Sequence, residues 1–255
     1  MDVVSDPSAV VVPDPSELMP ITGDAMASSN VPDRKRFMGE GWWDLWHELG
    51  WPAPDHGLEV RTRLGWERLA QLVRLAEHVE RQGVAGDYAE FGVWRGGAMC
   101  FVGAAWERLG ARDRRLLGFD SFEGLPATGE RDGDKLWEGQ FEDTSADMVR
   151  SLLDGHGLGS RVELFEGWFD DTVSSIDDRS LAMVHVDCDL YDPARMVLER
   201  VWPRLSVGGV VVFDDYRIPD TPGVTIAVEE FFASRPETVE MTPGLRYSAW
   251  VVKRG

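Results

Sequence analysis

The sequence predicts an α/β fold, a mostly parallel sheet with helices on both faces. Three observations predict it. Apolar runs of strand length alternate with amphipathic segments of helix length. Two of the runs, Met183-Val-His-Val-Asp-Cys-Asp-Leu-Tyr-Asp192 and Val210-Val-Val-Phe-Asp-Asp-Tyr216, end in carboxylates. Buried parallel strands read this way when they carry acids to the carboxyl edge of an open sheet, where such folds bind ligands. A glycine-rich turn, Gly92 to Gly97, joins the first strand to a helix. The 255 residues, 43% hydrophobic, suit one large α/β domain with a tail.

Residues 1–35 carry Pro7, Pro13, Pro15, Pro20 and Pro32 among Ser, Asp and Ala, which suits a flexible leader or a packing arm. Residues 36–60 form an aromatic-rich extension. There Trp42, Trp46 and Leu49 have helical spacing, as core cover, pocket wall or dimer contact. The main domain is expected over 61–255. Thr62 to Gln82 reads as a helix with Leu64, Leu69, Leu72, Val73, Ala76 and Val79 as its stripe and Gly83 as its stop. Asp87–Gly92 is the first strand, Gly96–Trp106 a helix and Leu116–Asp120 the second strand. The stretch 126–143 breaks the alternation. It is Gly- and acid-rich, and its Trp137 and Phe141 favour a lid over an idle loop. A helix near 145–155 precedes the third strand, Val162–Phe165. Leu181–Asp187 and Val210–Asp214 are the fourth and fifth strands, with a helix from Pro193 to Leu205 between them. A helix over Val224–Ser234 and a strand over Ser248–Lys253 close the chain.

The net charge of −19 argues against nucleic acid and anionic membranes as partners. No apolar run approaches the ~20 residues that span a bilayer, and no basic leader opens the chain. The two cysteines, Cys100 and Cys188, read as reduced thiols of a cytoplasmic protein.

If the fourth and fifth strands are neighbours, Asp187, Asp189, Asp214 and Asp215 meet at one edge. Four carboxylates cannot crowd together unpaired at neutral pH. Some protonate, or a cation sits among them, and Mg²⁺ is the simplest hard dication for an all-oxygen site. Asp187 and Asp189 share a side only if extension continues past Asp187. Asp214 and Asp215 share a target only if the chain turns there. In Glu90-Phe-Gly-Val-Trp-Arg-Gly-Gly97, Gly92 permits a tight turn, and Gly96 and Gly97 let a ligand approach the helix start. The run is neither the dinucleotide fingerprint nor a P-loop. Asp120, ending the second strand, accepts ribose hydroxyls or caps the next helix. Trp168 stacks on an adenine or packs in the core. Arg95 meets cofactor or lid, or snorkels. His185 supports Asp187 or is a satisfied strand histidine.

Five spaced motifs now agree: Glu90–Gly97, Phe119-Asp-Ser-Phe-Glu-Gly-Leu-Pro126, Glu166-Gly-Trp-Phe-Asp-Asp-Thr172, the Asp-x-Asp at 187–189, and Phe213-Asp-Asp-Tyr216. From about Thr62 onward the chain resembles the macrocin O-methyltransferase family, enzymes that methylate sugar hydroxyls on macrolides and aminocoumarins. Residues 1–60 lie outside these motifs. The resemblance implies a Rossmann-like methyltransferase fold with a seven-stranded sheet and S-adenosylmethionine as cofactor. Thr62, Glu90, Gly92, Arg95, Gly96, Gly97, Asp120, Ser121, Gly167, Trp168 and Asp187 would surround that cofactor. It implies Mg²⁺ on Asp187, Asp214 and Asp215, and Asp189 as general base. A glycoside acceptor and a homo-oligomer complete the expectation. Alternatives are a catechol-type acceptor, a haloacid-dehalogenase-like phosphatase, a metal-dependent glycosyltransferase, or a binding module without chemistry. The motif order disfavours the phosphatase and the glycosyltransferase, and the retained Asp189 disfavours the inert module.

Overall fold

The computed structural model describes residues 61–255, so the expected leader and aromatic-rich extension lie outside the described residues. The first helix, α1 (Trp66–Arg81), starts later than the periodicity suggests. Thr62 Oγ1 accepts the Leu64 N–H at 3.2 Å, a local bond that competes with helix, and Gly65 stays extended before α1 begins. Gly83, at φ +64°, ends it as expected.

Then come β1 (Asp87–Phe91), α2 (Gly97–Arg108), β2 (Leu116–Asp120), α3 (Ala146–Gly155), β3 (Val162–Glu166) and the single turn α4 (Phe169–Thr172). The chain continues through β4 (Leu181–Val186), α5 (Tyr191–Val201), β5 (Leu205–Asp214), α6 (Gly223–Phe232) and β6 (Ser248–Val252). Ser145 caps α3 by accepting the Met148 N–H. The helix expected over 193–205 runs instead from Tyr191 to Val201. A 3₁₀ turn containing Pro203 comes next, and β5 starts at Leu205 rather than Val210.

The sheet order is β3-β2-β1-β4-β5-β6, parallel except for the antiparallel β6. The described residues give six strands, not seven. Where a seventh would lie, Glu240 and Trp250 exchange two backbone hydrogen bonds of 2.9 Å as an isolated bridge. Beyond that bridge the chain turns away, with the Leu245 N–H bonding the Thr242 carbonyl at 3.0 Å and Gly244 at φ +83°. Both faces of the sheet are covered. Tyr88, Leu116, Met183, Val210 and Val212 pack with α1, α2 and α3. Ala89, Phe91, Phe119, Val184, Val211 and Phe213 pack with α5 and α6. Burial on both sides is why β4 and β5 read as unbroken apolar runs. Strand order reverses between β1 and β4, so a crevice opens at their carboxyl ends. No helix among the described residues is long and apolar enough to cross a membrane.

Candidate active site

The reversal point fixes where the functional side chains meet. β4 and β5 pair in parallel, with Val186 opposite Phe213, so Asp187 and Asp214 leave adjacent strands side by side. Asp215 comes next in the left-handed region, at φ +58°, and this turn brings the second of two consecutive acids to the same point. Asp187, Asp214 and Asp215 each offer an oxygen within 4.8 Å of the others. Asp189 arrives by a different route from the expected one. Extension stops at Val186, and Asp189 turns back at φ +59° within a tight Cys188–Leu190 turn. There its carboxyl donates a hydrogen bond to Asp215.

This crowding sets the electrostatics. Burial pushes the Asp187 carboxyl up to about 7, with Asp215 adding to the rise and His185 and Arg68 opposing it. Burial, then the neighbouring acids, raises Asp189 and Asp214 well above the carboxylate range, and burial raises Asp215 too. Arg68, from the first turn of α1, forms an ion pair with the buried Asp214. His185 is buried between Glu90 and Asp187. Burial lowers its pKa, but the Glu90 and Asp187 charges outweigh that and raise it.

The metal-free protein should therefore lose stability towards neutral pH. A carboxyl with a higher pKa folded than unfolded holds its proton more tightly in the native state. Stability is then greatest at low pH and is lost as pH rises through the folded value, near 7 for Asp187. The raised His185 titrates with the same sign. The surface acids with lowered values, Asp143, Glu163 and Glu230, ionise at lower pH and leave this window clear. The melting temperature of EDTA-treated protein should fall by roughly 4–8 °C between about pH 5 and 8, about 2 kcal/mol after discounting for solvent contact. Scanning calorimetry checks this, and a flat or rising profile would contradict it.

Beside the acids lies a cavity of about 780 Å³, lined in part by Thr62, Arg68, Glu90, Gly92, Trp94, Asp120, Ser121, Phe141, Trp168, Asp187, Asp189 and Asp215. That is ample for a drug-sized ligand. Glu90 is buried at its wall and accepts the Tyr88 hydroxyl at 2.5 Å. Each Asp120 oxygen accepts one backbone N–H at 2.7 Å, from Trp94 and from Phe122. Asp120 therefore caps no helix; it pins two loops and keeps acceptor capacity towards the cavity. Ser121 is held in the same turn, and Trp168 is 37% exposed at the rim rather than in the core.

Four residues expected at the cofactor are placed otherwise. Arg95 does not line the cavity; it meets the 126–143 stretch instead, the other contact expected of it, by bonding the Asp143 carboxylate at 2.8 Å. Gly96 and Gly97 make room for protein rather than ligand. A Cβ on Gly96 would meet Val149, and one on Gly97 would lie 2.5 Å from the Arg61 carbonyl, which already accepts the Gly97 N–H. Gly167, at φ +137°, bends the chain and donates to the Asp120 carbonyl without lining the cavity.

The loop 126–143 has no regular structure but is tied down. Leu125 and Gly139–Gln140 exchange backbone bonds of 2.9 Å. Asp132 is buried and accepts the N–H groups of Gly129 and of Tyr191, the first residue of α5, each at 2.7 Å. Phe141 reaches the cavity, while Trp137 is 62% exposed. Arg68 and Asp132 escaped the sequence reading. Arg68 had a signal, since Leu64, Arg68 and Leu72 share one helical face, so a charge interrupts an apolar stripe. Asp132 had none among its acidic neighbours.

Residues 22–243 match the family model described as macrocin O-methyltransferase (TylF). The chain belongs to the macrocin O-methyltransferase family. The family match begins at residue 22, well before Thr62, so it takes in much of the N-terminal extension that the motifs left out. One relative is the 8-demethyl-8-(2,3-dimethoxy-alpha-L-rhamnosyl)-tetracenomycin-C 4'-O-methyltransferase of Streptomyces olivaceus. It is 36% identical over 175 residues, 66% of this chain and 65% of that protein. The chain thus spans slightly less than two thirds of that relative's length. The mycinamicin III 3''-O-methyltransferase of Micromonospora griseorubida is 35% identical over 65% of this chain and 68% of its own. Among solved structures, the O-methyltransferase NovP superposes with a TM-score of 0.67 at 29% identity, covering 77% of this chain and 84% of its own. Membership in the macrocin O-methyltransferase family removes the phosphatase and glycosyltransferase alternatives.

Proposed function

We propose that the protein is an S-adenosylmethionine- and divalent-metal-dependent O-methyltransferase acting on a sugar hydroxyl of a glycosylated natural product. The named activities of the relatives support the acceptor class. The observation that carries the reading is the trio of acid oxygens within 4.8 Å, opening on the cavity that Glu90 and Asp120 also line. Three hard oxygen donors at one point suit Mg²⁺. Asp187, Asp214 and Asp215 would hold it. Glu90 and Asp120, a buried acid and a hydroxyl acceptor at the same wall, suit a cationic amino-acid nucleoside, with Thr62, Ser121 and Trp168 completing its surroundings.

S-adenosylmethionine supplies an electrophilic methyl group, and a dication supplies Lewis acidity beside the acceptor hydroxyl. Asp189 takes the hydroxyl proton. It must be ionised to do so, and added positive charge at the trio favours that state. Phe141 and the tethered loop 126–143 shield the reacting groups from water.

The test uses full-length protein, methyl-labelled S-adenosylmethionine and a deoxysugar glycoside, with a catechol as control acceptor. Label should reach the sugar, stop with EDTA and return with excess MgCl₂. Transfer that persists in EDTA, or no calorimetric binding of S-adenosylmethionine, would overturn the reading.

A further inference from the structure

Four acids share the end of β4 and β5, and one guanidinium reaches them from α1. Arg68 Nη1 donates to Asp214 Oδ2, where Asp214 is 4% exposed and Arg68 21%. The charges of Asp187 and Asp215 also act on Arg68. Its second nitrogen, Nη2, donates to the Arg63 carbonyl at 3.3 Å, so the side chain has a second anchor outside the cluster. Arg63 in turn lays its guanidinium over the rings of Trp94 and Phe141, at 5.1 and 4.8 Å, against the cavity roof.

We propose that Arg68 and a divalent ion are rival cations of one acid cluster: the guanidinium holds Asp214 until the ion displaces it. The inference rests on the metal reading above and adds a cost to metal binding that the ligand trio alone does not predict. The physics is simple. Asp214 belongs both to the ion pair and to the trio. A dication beside it is repelled by the guanidinium and must also compete for the carboxylate. Without either cation, the buried acids repel one another or must take up protons. Arg68 therefore stabilises the metal-free fold and weakens metal affinity at once. Once displaced, it retains the Arg63 carbonyl, which links metal occupancy to the segment under Phe141.

The experiment compares EDTA-stripped wild type with Arg68→Gln by thermal melting and by calorimetric titration with MgCl₂. Arg68→Gln should melt lower without metal, bind Mg²⁺ on the order of tenfold more tightly, and gain more in melting temperature from saturating Mg²⁺. Wild-type protein gives a second readout should the variant fail to fold. Mg²⁺ should quicken solvent exchange of the Arg68 guanidinium protons, monitored by NMR and assigned against Arg68→Lys. Unchanged or weaker Mg²⁺ affinity in Arg68→Gln, or guanidinium signals unmoved by Mg²⁺, would overturn the rivalry while leaving the metal site intact. A wild type that binds no Mg²⁺ would sink the metal reading and this inference with it.

Discussion

Asp189→Asn should lower turnover by about 10²- to 10⁴-fold while S-adenosylmethionine affinity changes by less than about threefold. Asparagine keeps the size and the left-handed backbone that Asp189 adopts at φ +59°, a conformation asparagine tolerates well. It removes only the capacity to take a proton. Asp189 stands outside the trio whose oxygens converge, and it faces Asp215 by a hydrogen bond. Loss of turnover with retained cofactor and Mg²⁺ binding thus isolates the base from the ligands. The variant should also melt no lower than wild type without metal, because the asparagine amide can donate to Asp215 as the protonated Asp189 carboxyl does and brings no charge into the cluster. That stability readout separates lost chemistry from lost folding. Near-normal turnover would reassign the base.

The sequence made the sheet legible because β4 and β5 are buried on both faces and close with acids. Their apolar runs and the Asp187 and Asp214 tips needed no tertiary information beyond adjacency, whereas Asp215 also needed the turn at φ +58°. Boundaries moved where local chemistry overrode periodicity. Thr62 and Gly65 delayed α1, and Pro203 ended α5 and freed Leu205 for β5. Periodicity also misled about Asp189: strand alternation would place it beside Asp187, yet a left-handed turn delivers it. Such turns are hard to foresee in residues other than glycine. The glycine pair shows the opposite error. Gly96 and Gly97 suggested ligand access, but their space belongs to Val149 and to Arg61–Thr62 from outside the motif. Arg68 could be read only by asking why a charge interrupts a stripe. Its partner lies 146 positions away, beyond any local pattern.

Gly92→Ala should abolish or nearly abolish folding, a loss of more than about 4 kcal/mol. Gly92 sits at φ +92°, where an L side chain is strained, and its Cβ would lie 1.7 Å from the Asp187 carbonyl oxygen. That atom is backbone, so no rotamer change relieves the overlap. Nor can the strand tips part cheaply. Gly92 N–H bonds the Phe119 carbonyl, and Asp187 N–H bonds the Phe91 carbonyl, each at 2.9 Å. Moving Gly92 away from Asp187 breaks the ladder on one side or the other, in the middle of a buried sheet. The consequence reaches function because this contact joins the two halves of the site. β1 carries Glu90 to one wall of the cavity, and β4 leads into Asp187 and Asp189 at another. Glycine at 92 lets these tips stand at backbone contact, which under the proposed function would bring a methyl donor on one side within reach of a hydroxyl on the other. Urea unfolding of Gly92→Ala measures the loss. If some protein folds, calorimetry should show S-adenosylmethionine and Mg²⁺ affinities falling together. A stable variant with either affinity intact would mean that the β1–β4 contact does not couple the two sites.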